Sequence, residues 1–531
     1  MTLTIIIFGI ILLSSAINLL MELKRSLMMM QQNSYRPERF RKWLRTSGDT
    51  TSWTRLIGLC IFFLSLVSFN DNRISMGFLL AFTAGNAYYL YTRKYKKPLV
   101  MTKRAWRILS CDLVISCAIA VACVFLFARK DVLSILFVIT ETFLGLYCAS
   151  HIISLISLWL LKPVEKNISD SYINEAVKIL RGMPRLKVVG ITGSYGKTST
   201  KHFLKRILDE KYSVTMTPGS FNTTMGVVRT IREYLRPYDQ IFIVEMGAKQ
   251  PGDIKEICEL VKPRYGILTA VGEQHLESFK NVENIRKTKF ELIDSLPSDG
   301  LGILNNDFPQ IEKTEVGNVK TERYGVSNQN SDWKACDIRY STRGTTFKVA
   351  GPGIEMNLET KLVGEGNISN LLGSVAMAYE LGLTVQEISR GVKEIEPVEH
   401  RLSMKRAANG ITILDDAFNS NPAGAKMALD VLRLIDGERK IIVTPGMIEL
   451  GEKEYELNRE FGRMISKSAD IAIVVGSYNR ESICEGLTEG EMADSSIRIA
   501  GSFSEAQIIL SEMMKPGDVV LYENDLPDTF K

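Results

Sequence analysis

The pattern of apolar and polar positions divides the chain near residue 165. Before it, apolar residues come in long runs at 3–21, 56–69, 74–91, 108–128 and 132–161, and the segments between them hold most of the charge. A helix crossing a bilayer needs about 20 apolar residues, so four or five spans are expected, with 56–69 short enough to be a re-entrant segment or a buried hairpin arm. A cleaved signal peptide would account for the first run at most. After it, strand-length β-branched runs at 188–192, 241–245, 265–271, 411–416, 440–444, 471–475, 496–500 and 518–523 alternate with stretches of helical period. In the C-terminal part that alternation predicts a doubly wound sheet, and ligands of such sheets sit beyond the carboxyl ends of the strands. The expected architecture is an N-terminal α-helical membrane module (1–165) followed by two α/β domains. These are a P-loop ATPase-type central domain (166–397) and a doubly wound, Rossmann-like C-terminal domain (398–531).

Charge orients the helical part. Residues 24–55 carry eight Lys/Arg and residues 93–107 carry seven, whereas the opposite short loops carry Arg73 in one and Arg129 with Lys130 in the other. The positive-inside rule places both basic loops, and with them the α/β domains, in the cytoplasm, so the expected location is the cell membrane, multi-pass. The net charge of +5 is then a topology signal rather than a sign of a nucleic-acid partner. Residues 30–44 mix Arg, Lys, Tyr and Trp beside a span and read as an interfacial helix or headgroup contact, with a binding motif for another protein as the alternative. Glu141 and His151 lie inside the last apolar run, where ionisable groups are expensive and hint at function or a helix–helix contact. Of eight cysteines, five lie in the apolar runs and three are dispersed; they show neither zinc spacing nor a disulfide framework and suit a reducing compartment.

The most informative stretch is 188–208, VVGITGSYGKTSTKHFLKRIL. A β-branched run ends in a loop carrying Gly193, Gly196, Lys197 and Thr198, and a helical pattern follows. Glycines let backbone N–H groups close on phosphates, the helix N-terminus adds its dipole, Lys197 supplies a point charge, and the Thr198 hydroxyl can ligate Mg²⁺. The spacing departs from the strict G-x-x-x-x-G-K-[ST], since Ile191 stands where the first glycine would fall and Gly190 precedes it. A second buried run, 241–245, ends in Glu245, whose carboxylate could reach a metal on phosphates held by a neighbouring loop. His275 follows a third apolar strand, and Lys289 comes fourteen residues later in a helical pattern.

Taken together these pieces resemble the Mur ligases, ATP-dependent amide-forming enzymes of cell-wall precursor synthesis, and most of all the D-alanyl-D-alanine-adding (MurF) branch. The resemblance rests on TGSYGKTST, SFNTTMGV, VEMGAKQPGDI, the block from His275 to Lys289, GEGNISNLLGSVAMAYELG, EHRLS, DDAFNSNP and GMIELGE, in the family's order over roughly the last two-thirds of the chain. It implies that a substrate carboxylate attacks the γ-phosphate of ATP and that an amine then displaces phosphate from the acyl phosphate. It implies that Lys197, His275 and Lys289 are catalytic. Thr198 and Glu245 would hold one Mg²⁺ and His275 a second, with Lys289 carbamylated by CO₂ to become an oxygen ligand. Nucleotide contacts would come from Gly193, Ser194, Gly196, Lys197, Thr198, Ser199, Asn222, Asn367, Arg401 and Asp416, with Arg401 reaching the phosphates, Asp416 the ribose, and Asn419 and Asn421 shaping the turn. Asn222 on its own reads equally well as a turn or cap residue.

Departures from the family bear on substrate. The helical module runs almost directly into the phosphate loop, which leaves no room for the family's uridine-nucleotide-binding domain. Gly366 stands where relatives often have histidine before the asparagine at Asn367, and the C-terminal residues 519–530 lack the family's lysine-glycine-serine-arginine turn. The implied partners are ATP, a carboxylate-bearing peptide on a nucleotide sugar or a lipid-linked equivalent, an amine such as D-Ala-D-Ala, and membrane lipids. A polyglutamate-type synthetase of the same superfamily is the alternative ligase reading. A membrane transport or signalling ATPase is the reading of a different class, and it leaves His275 and Lys289 without a role.

Overall fold

The computed structural model describes residues 2–67, 72–93, 95, 97–129, 131–273, 276–341, 344–398, 402–407, 410–417 and 421–525. They form two compact units that divide between Ser169 and Asp170.

The first unit is helical: Thr2–Gln32, Pro37–Thr46, Trp53–Val67, Asn72–Thr92, Lys103–Phe127, Val132–Cys148 and the start of Ser150–Arg181. Among the described residues two of these helices, over Ile5–Gln32 and Lys103–Phe127, are long and apolar enough to cross a membrane, and Trp53–Val67 is a shorter apolar helix. The run expected as one span at 132–161 is instead two helices bent by 80° at Ala149. Buried Arg55 explains how that break is tolerated. Its Nη1 donates to the carbonyls of Cys148 (2.8 Å) and Tyr147 (3.3 Å), which the interruption frees from regular helical pairing. Its Nη2 donates to Glu22 (2.7 Å) and Asp49 (3.3 Å), so the guanidinium is itself neutralised. His151, singled out by its place in the apolar run, is 3.3 Å from the same guanidinium. The second helix of the bent pair continues unbroken through position 165 to Arg181.

Residues 30–44 do not form one surface helix. The first helix runs on to Gln32, and the chain turns through Ser34 and Tyr35, both at positive φ, into Pro37–Thr46. The apolar side of that short helix, Phe40 and Leu44, packs on Met28, Met29 and Met30 of the unit's own core, which leaves its arginines facing outward.

The second unit contains two sheets. The larger is built from β1 (Lys187–Thr192), β2 (Val214–Met216), β3 (Ile241–Glu245), β4 (Tyr265–Leu268), β5 (Leu301–Asn305), β6 (Lys320–Gly325), β7 (Trp333–Ser341), β8 (Gly344–Gly351) and β9 (Ile354–Thr360). Their spatial order is β2-β3-β1-β4-β5-β6-β7-β8-β9. Pairing is parallel from β2 to β7 and antiparallel through β8 and β9. Near-continuous apolar strands such as β1 and β5 are buried because helices cover both faces. The chain leaves β1 for β2 and β3 on one side and then crosses to β4 on the other. The carboxyl end of β1 is therefore a topological switch point, where such sheets bind ligands.

The smaller sheet is built from β10 (Ser403–Arg406), β11 (Thr412–Asp416), β12 (Lys440–Thr444), β13 (Ile471–Val475), β14 (Ile497–Ala500) and β15 (Val519–Glu523), in the order β10-β11-β15-β12-β13-β14. All pairs are parallel except β10 with β11. Doubly wound order was expected of the smaller, C-terminal sheet. The antiparallel β7–β9 extension of the larger one was not.

Candidate active site

The carboxyl end of β1 opens into the loop 193–196, and the helix Lys197–Leu208 begins at once. Gly196 caps that helix in the left-handed region (φ +79°), and a Cβ there would overlap the side-chain oxygen of Asn370. Ser194 exchanges hydrogen bonds with the backbone of Gly272, donating to its carbonyl and accepting from its N–H, both at 3.1 Å. The Tyr195 hydroxyl donates to the carbonyl of Glu273 at 3.2 Å. These bonds pin the loop to the segment just before His275, which itself lies outside the described residues. The Lys197 ammonium is folded back on its own loop and donates to the carbonyls of Gly193 (2.6 Å) and Ser194 (3.2 Å).

Glu245, at the end of β3 and 1% exposed, is the centre of the polar cluster. It accepts from the Thr198 hydroxyl (3.1 and 3.2 Å), the Lys201 ammonium (2.8 Å) and the Asn222 amide (3.3 Å), while its backbone N–H donates to Thr217 Oγ1 (3.1 Å). Burial alone would push this carboxyl up, but Lys201 and Lys197 outweigh it, with hydrogen bonds from Lys201 and Asn222, and hold it below its ordinary value. Asn222 thus sits on the carboxylate, a placement that its turn-or-cap reading would not require. Thr198 and Glu245 bring a hydroxyl and a carboxylate together, hard oxygen ligands of the kind Mg²⁺ takes. Among the described residues no three of His, Cys, Asp and Glu form a group able to hold a metal unaided, so further ligands must come from a bound molecule or from residues such as His275.

Lys289, on the helix Val282–Asp294, is buried at 2% exposure. Among the described residues no hydrogen bond or ion pair is formed by its ammonium. Burial, and after it the positive charge of Lys197, push it well below its ordinary value, so the neutral amine is favoured.

One cavity joins these groups to the domain carrying the smaller sheet. Loop residues Ser194 to Ser199, Asn222, Glu245 and Asn367 line it together with Asp416, Asn421 and Met427 of that domain. Asp416, at the end of β11, accepts from the Leu402 N–H at 3.0 Å, and Asn421 caps the helix Pro422–Leu434 by accepting from the Gly424 N–H at 2.9 Å. Asn367 donates its amide to the Val363 carbonyl at 2.9 Å. Gly193 lies behind the loop rather than on the cavity wall, pressed so closely on Thr269 that a Cβ would overlap its hydroxyl. Lys453 ties the two domains by donating to Glu273 at 2.5 Å. Arg401 and Asn419 lie outside the described residues. Lys201 and Met427 were missed by sequence reasoning. Lys201 falls one helical turn after Lys197, a spacing that could have marked it as facing the same site.

Comparison with known proteins matches residues 191–378 to the Mur ligase middle domain and residues 400–522 to the Mur ligase glutamate ligase domain. UDP-N-acetylmuramoyl-tripeptide–D-alanyl-D-alanine ligase of Bacillus subtilis is 30% identical over 281 residues, 53% of this chain and 60% of the relative. Its Escherichia coli counterpart is 30% identical over 288 residues, 54% of this chain and 63% of the relative. The chain thus spans about 60% of the length of these curated relatives. Among solved structures, the MurF ligase of Thermotoga maritima in complex with ADP superposes with a TM-score of 0.60 at 27% identity, covering 67% of this chain and 80% of that one. MurF of Acinetobacter baumannii shares the fold at a TM-score of 0.59 and 23% identity, covering 66% and 76%.

Proposed function

This chain belongs to the Mur ligase family, and from that premise we propose that it is an ATP-dependent ligase that forms an amide through an acyl phosphate. The carrying observation is the convergence of loop residues 194–199, the Thr198 hydroxyl and the Glu245 carboxylate on one cavity. In this reading the loop N–H groups and Lys197 hold the triphosphate, and Lys197 leaves its own carbonyls to neutralise the transferring phosphoryl group. A substrate carboxylate oxygen bonds to the γ-phosphorus and ADP leaves. An amine then bonds to the acyl carbon, phosphate leaves, and the amine gives up a proton. Asp416 and Asn367, both lining the cavity, would contact the nucleotide, and Arg401 would supply charge to the phosphates.

Mg²⁺ would be held by Thr198 and Glu245, with a second ion at His275 and a carbamylated Lys289; bound there, it would offset charge on the phosphates. Lys289 suits that modification, because a buried neutral amine can add to CO₂ with loss of a proton, and the product is an anion where an ammonium would be repelled.

The amine is D-Ala-D-Ala or a similar amine, by likeness to the named relatives. The carboxylate belongs to a peptide on a nucleotide sugar or to a lipid-linked equivalent in cell-envelope or peptidoglycan-precursor synthesis. The two apolar helices of the first unit support a membrane anchor, with the ligase domains in the cytoplasm where ATP is. The same anchor favours, as a second reading, a polyglutamate-type synthetase that extends its product at the membrane.

The test is to incubate the full chain, in detergent or nanodiscs, with ATP and UDP-N-acetylmuramoyl-tripeptide plus D-Ala-D-Ala, alongside glutamate-based pairs, and to detect product by mass. An amide with stoichiometric ADP is expected. ATP hydrolysis with no amide from any pair would favour a transport or signalling ATPase.

A further inference from the structure

We propose that Lys201 is a built-in counter-cation of the metal site, and that it makes divalent-metal binding conditional on the nucleotide. The inference rests on the ligase reading only in taking Thr198 and Glu245 as metal ligands.

Lys201 has no exposed surface at all. Its ammonium donates to Glu245 Oε2 at 2.8 Å and to the Gly219 carbonyl at 2.7 Å, both held by the fold. Glu245 is the only carboxylate among the described residues that shares a hydrogen bond with Thr198, Lys201 or Asn222. The cation is fixed and buried, so it cannot swing into solvent as a surface lysine would when a second cation arrives. With Lys197 folded on the same loop, two ammonium groups stand around the Glu245 carboxylate, and the other carboxylate of the cavity lining, Asp416, belongs to the second domain. A bare divalent ion would have to bind a carboxylate already paired, beside an excess of positive charge, in a poorly screened interior. The triphosphate reverses the sign of that balance, so the metal enters with the nucleotide. Lys201 is therefore a positioning residue: it aims Glu245 at Thr198 and suppresses occupation by free metal that would block the phosphate loop.

The experiment measures Mn²⁺ binding to the full chain by electron paramagnetic resonance, with and without a non-hydrolysable ATP analogue. Wild type is expected to bind Mn²⁺ at this site only with the analogue. Lys201→Met should bind Mn²⁺ without nucleotide on the order of tenfold more tightly than wild type or better, because a unit charge a few ångströms away has been removed. Adding Glu245→Gln should abolish that gain. Lys201→Gln keeps a donor toward Glu245 and serves if the methionine variant fails to fold; a purely structural lysine would lose function in either variant without gaining metal affinity. Nucleotide-free Mn²⁺ affinity equal to wild type in a folded variant overturns the proposal, as does wild type binding the ion equally well with and without nucleotide. Failure of the ligase reading shows separately, as no binding of the analogue to wild type.

Discussion

The hydroxyl of Thr198 lies 3.1 and 3.2 Å from the two carboxylate oxygens of Glu245, although 47 residues separate them in the chain. One stands in the first turn of the helix after β1 and the other at the end of β3, and the parallel pairing of Ile191 with Glu245 brings them together. The site is thus a product of strand register as much as of a loop motif. Thr198→Ala removes one oxygen from that pair and little packing, so the Mg²⁺ concentration at half-maximal ADP formation should rise by roughly tenfold. Lys197→Ala should lower turnover by a factor on the order of a thousand while the melting temperature stays within a few degrees, since its ammonium donates to the Gly193 and Ser194 carbonyls of an open loop rather than to the core. Near-normal ADP formation by Lys197→Ala would remove the loop from the chemistry.

Lys289 gives a second expectation. A buried ammonium without a counter-ion is costly, and a carbamate beside a metal is not, so Lys289→Ala should lose activity while still binding nucleotide through the loop. A short carboxylic acid in the buffer should restore part of the rate by placing an oxygen where the carbamate was. Intact mass under CO₂, with added chelator as control, should show one carboxyl adduct in wild type and none in the variant. Full activity of the variant in CO₂-depleted buffer without added acid would reduce Lys289 to an ordinary core lysine.

Gly366 and Met427 meet across the cavity. A Cβ at Gly366 would overlap the Met427 sulfur, so the missing side chain on one helix makes room for the thioether of the other. Gly366→Ala should therefore push Met427 toward the space for the nucleotide and weaken ATP-analogue binding by roughly tenfold, the scale of an overpacked contact. Met427→Ala in the same chain should recover most of the loss. Equal binding by Gly366→Ala and wild type, measured calorimetrically, would mean that the thioether faces elsewhere when the site is filled.

Local patterns carried much of this architecture. The β-branched run, glycine loop and helical period at 187–208 predicted β1, its loop and its helix, because each signal is written within a few residues. Glu245 was legible as an acidic strand end for the same reason. What could not be read was set by distant partners. The break at Ala149 falls inside an unbroken apolar run and is secured by Arg55, which lies 93 residues before Cys148. Lys201 looks like any helix lysine until Glu245 is placed beside it. The β8–β9 hairpin did carry a local signal, with Phe347, Val349, Met356 and Leu358 buried and Lys348, Asn357 and Glu359 between them. Its alternation is the period-2 mark of a half-covered antiparallel pair, weaker per residue than the long apolar runs of the parallel strands.

His202, next to Lys201 on the same helix, should make the ligase domains sensitive to mild acid. Burial, and after it the charge of Lys201, hold its imidazole down at about 4, against an ordinary value of 6.5. Between those values the unfolded chain binds a proton at this ring and the folded chain does not, so stability rises with pH and falls as pH drops from 6.5 toward 4. With the ring partly open to solvent, the loss across that window should come to about 1–2 kcal/mol. His202→Gln keeps a polar side chain that does not titrate. Its melting temperature should fall less between pH 7 and pH 5 than that of wild type, measured on the full chain in the same detergent and without nucleotide. Parallel curves for the two proteins would place the acid-sensitive proton on another group and leave His202 as a neutral packing residue of the phosphate-loop helix.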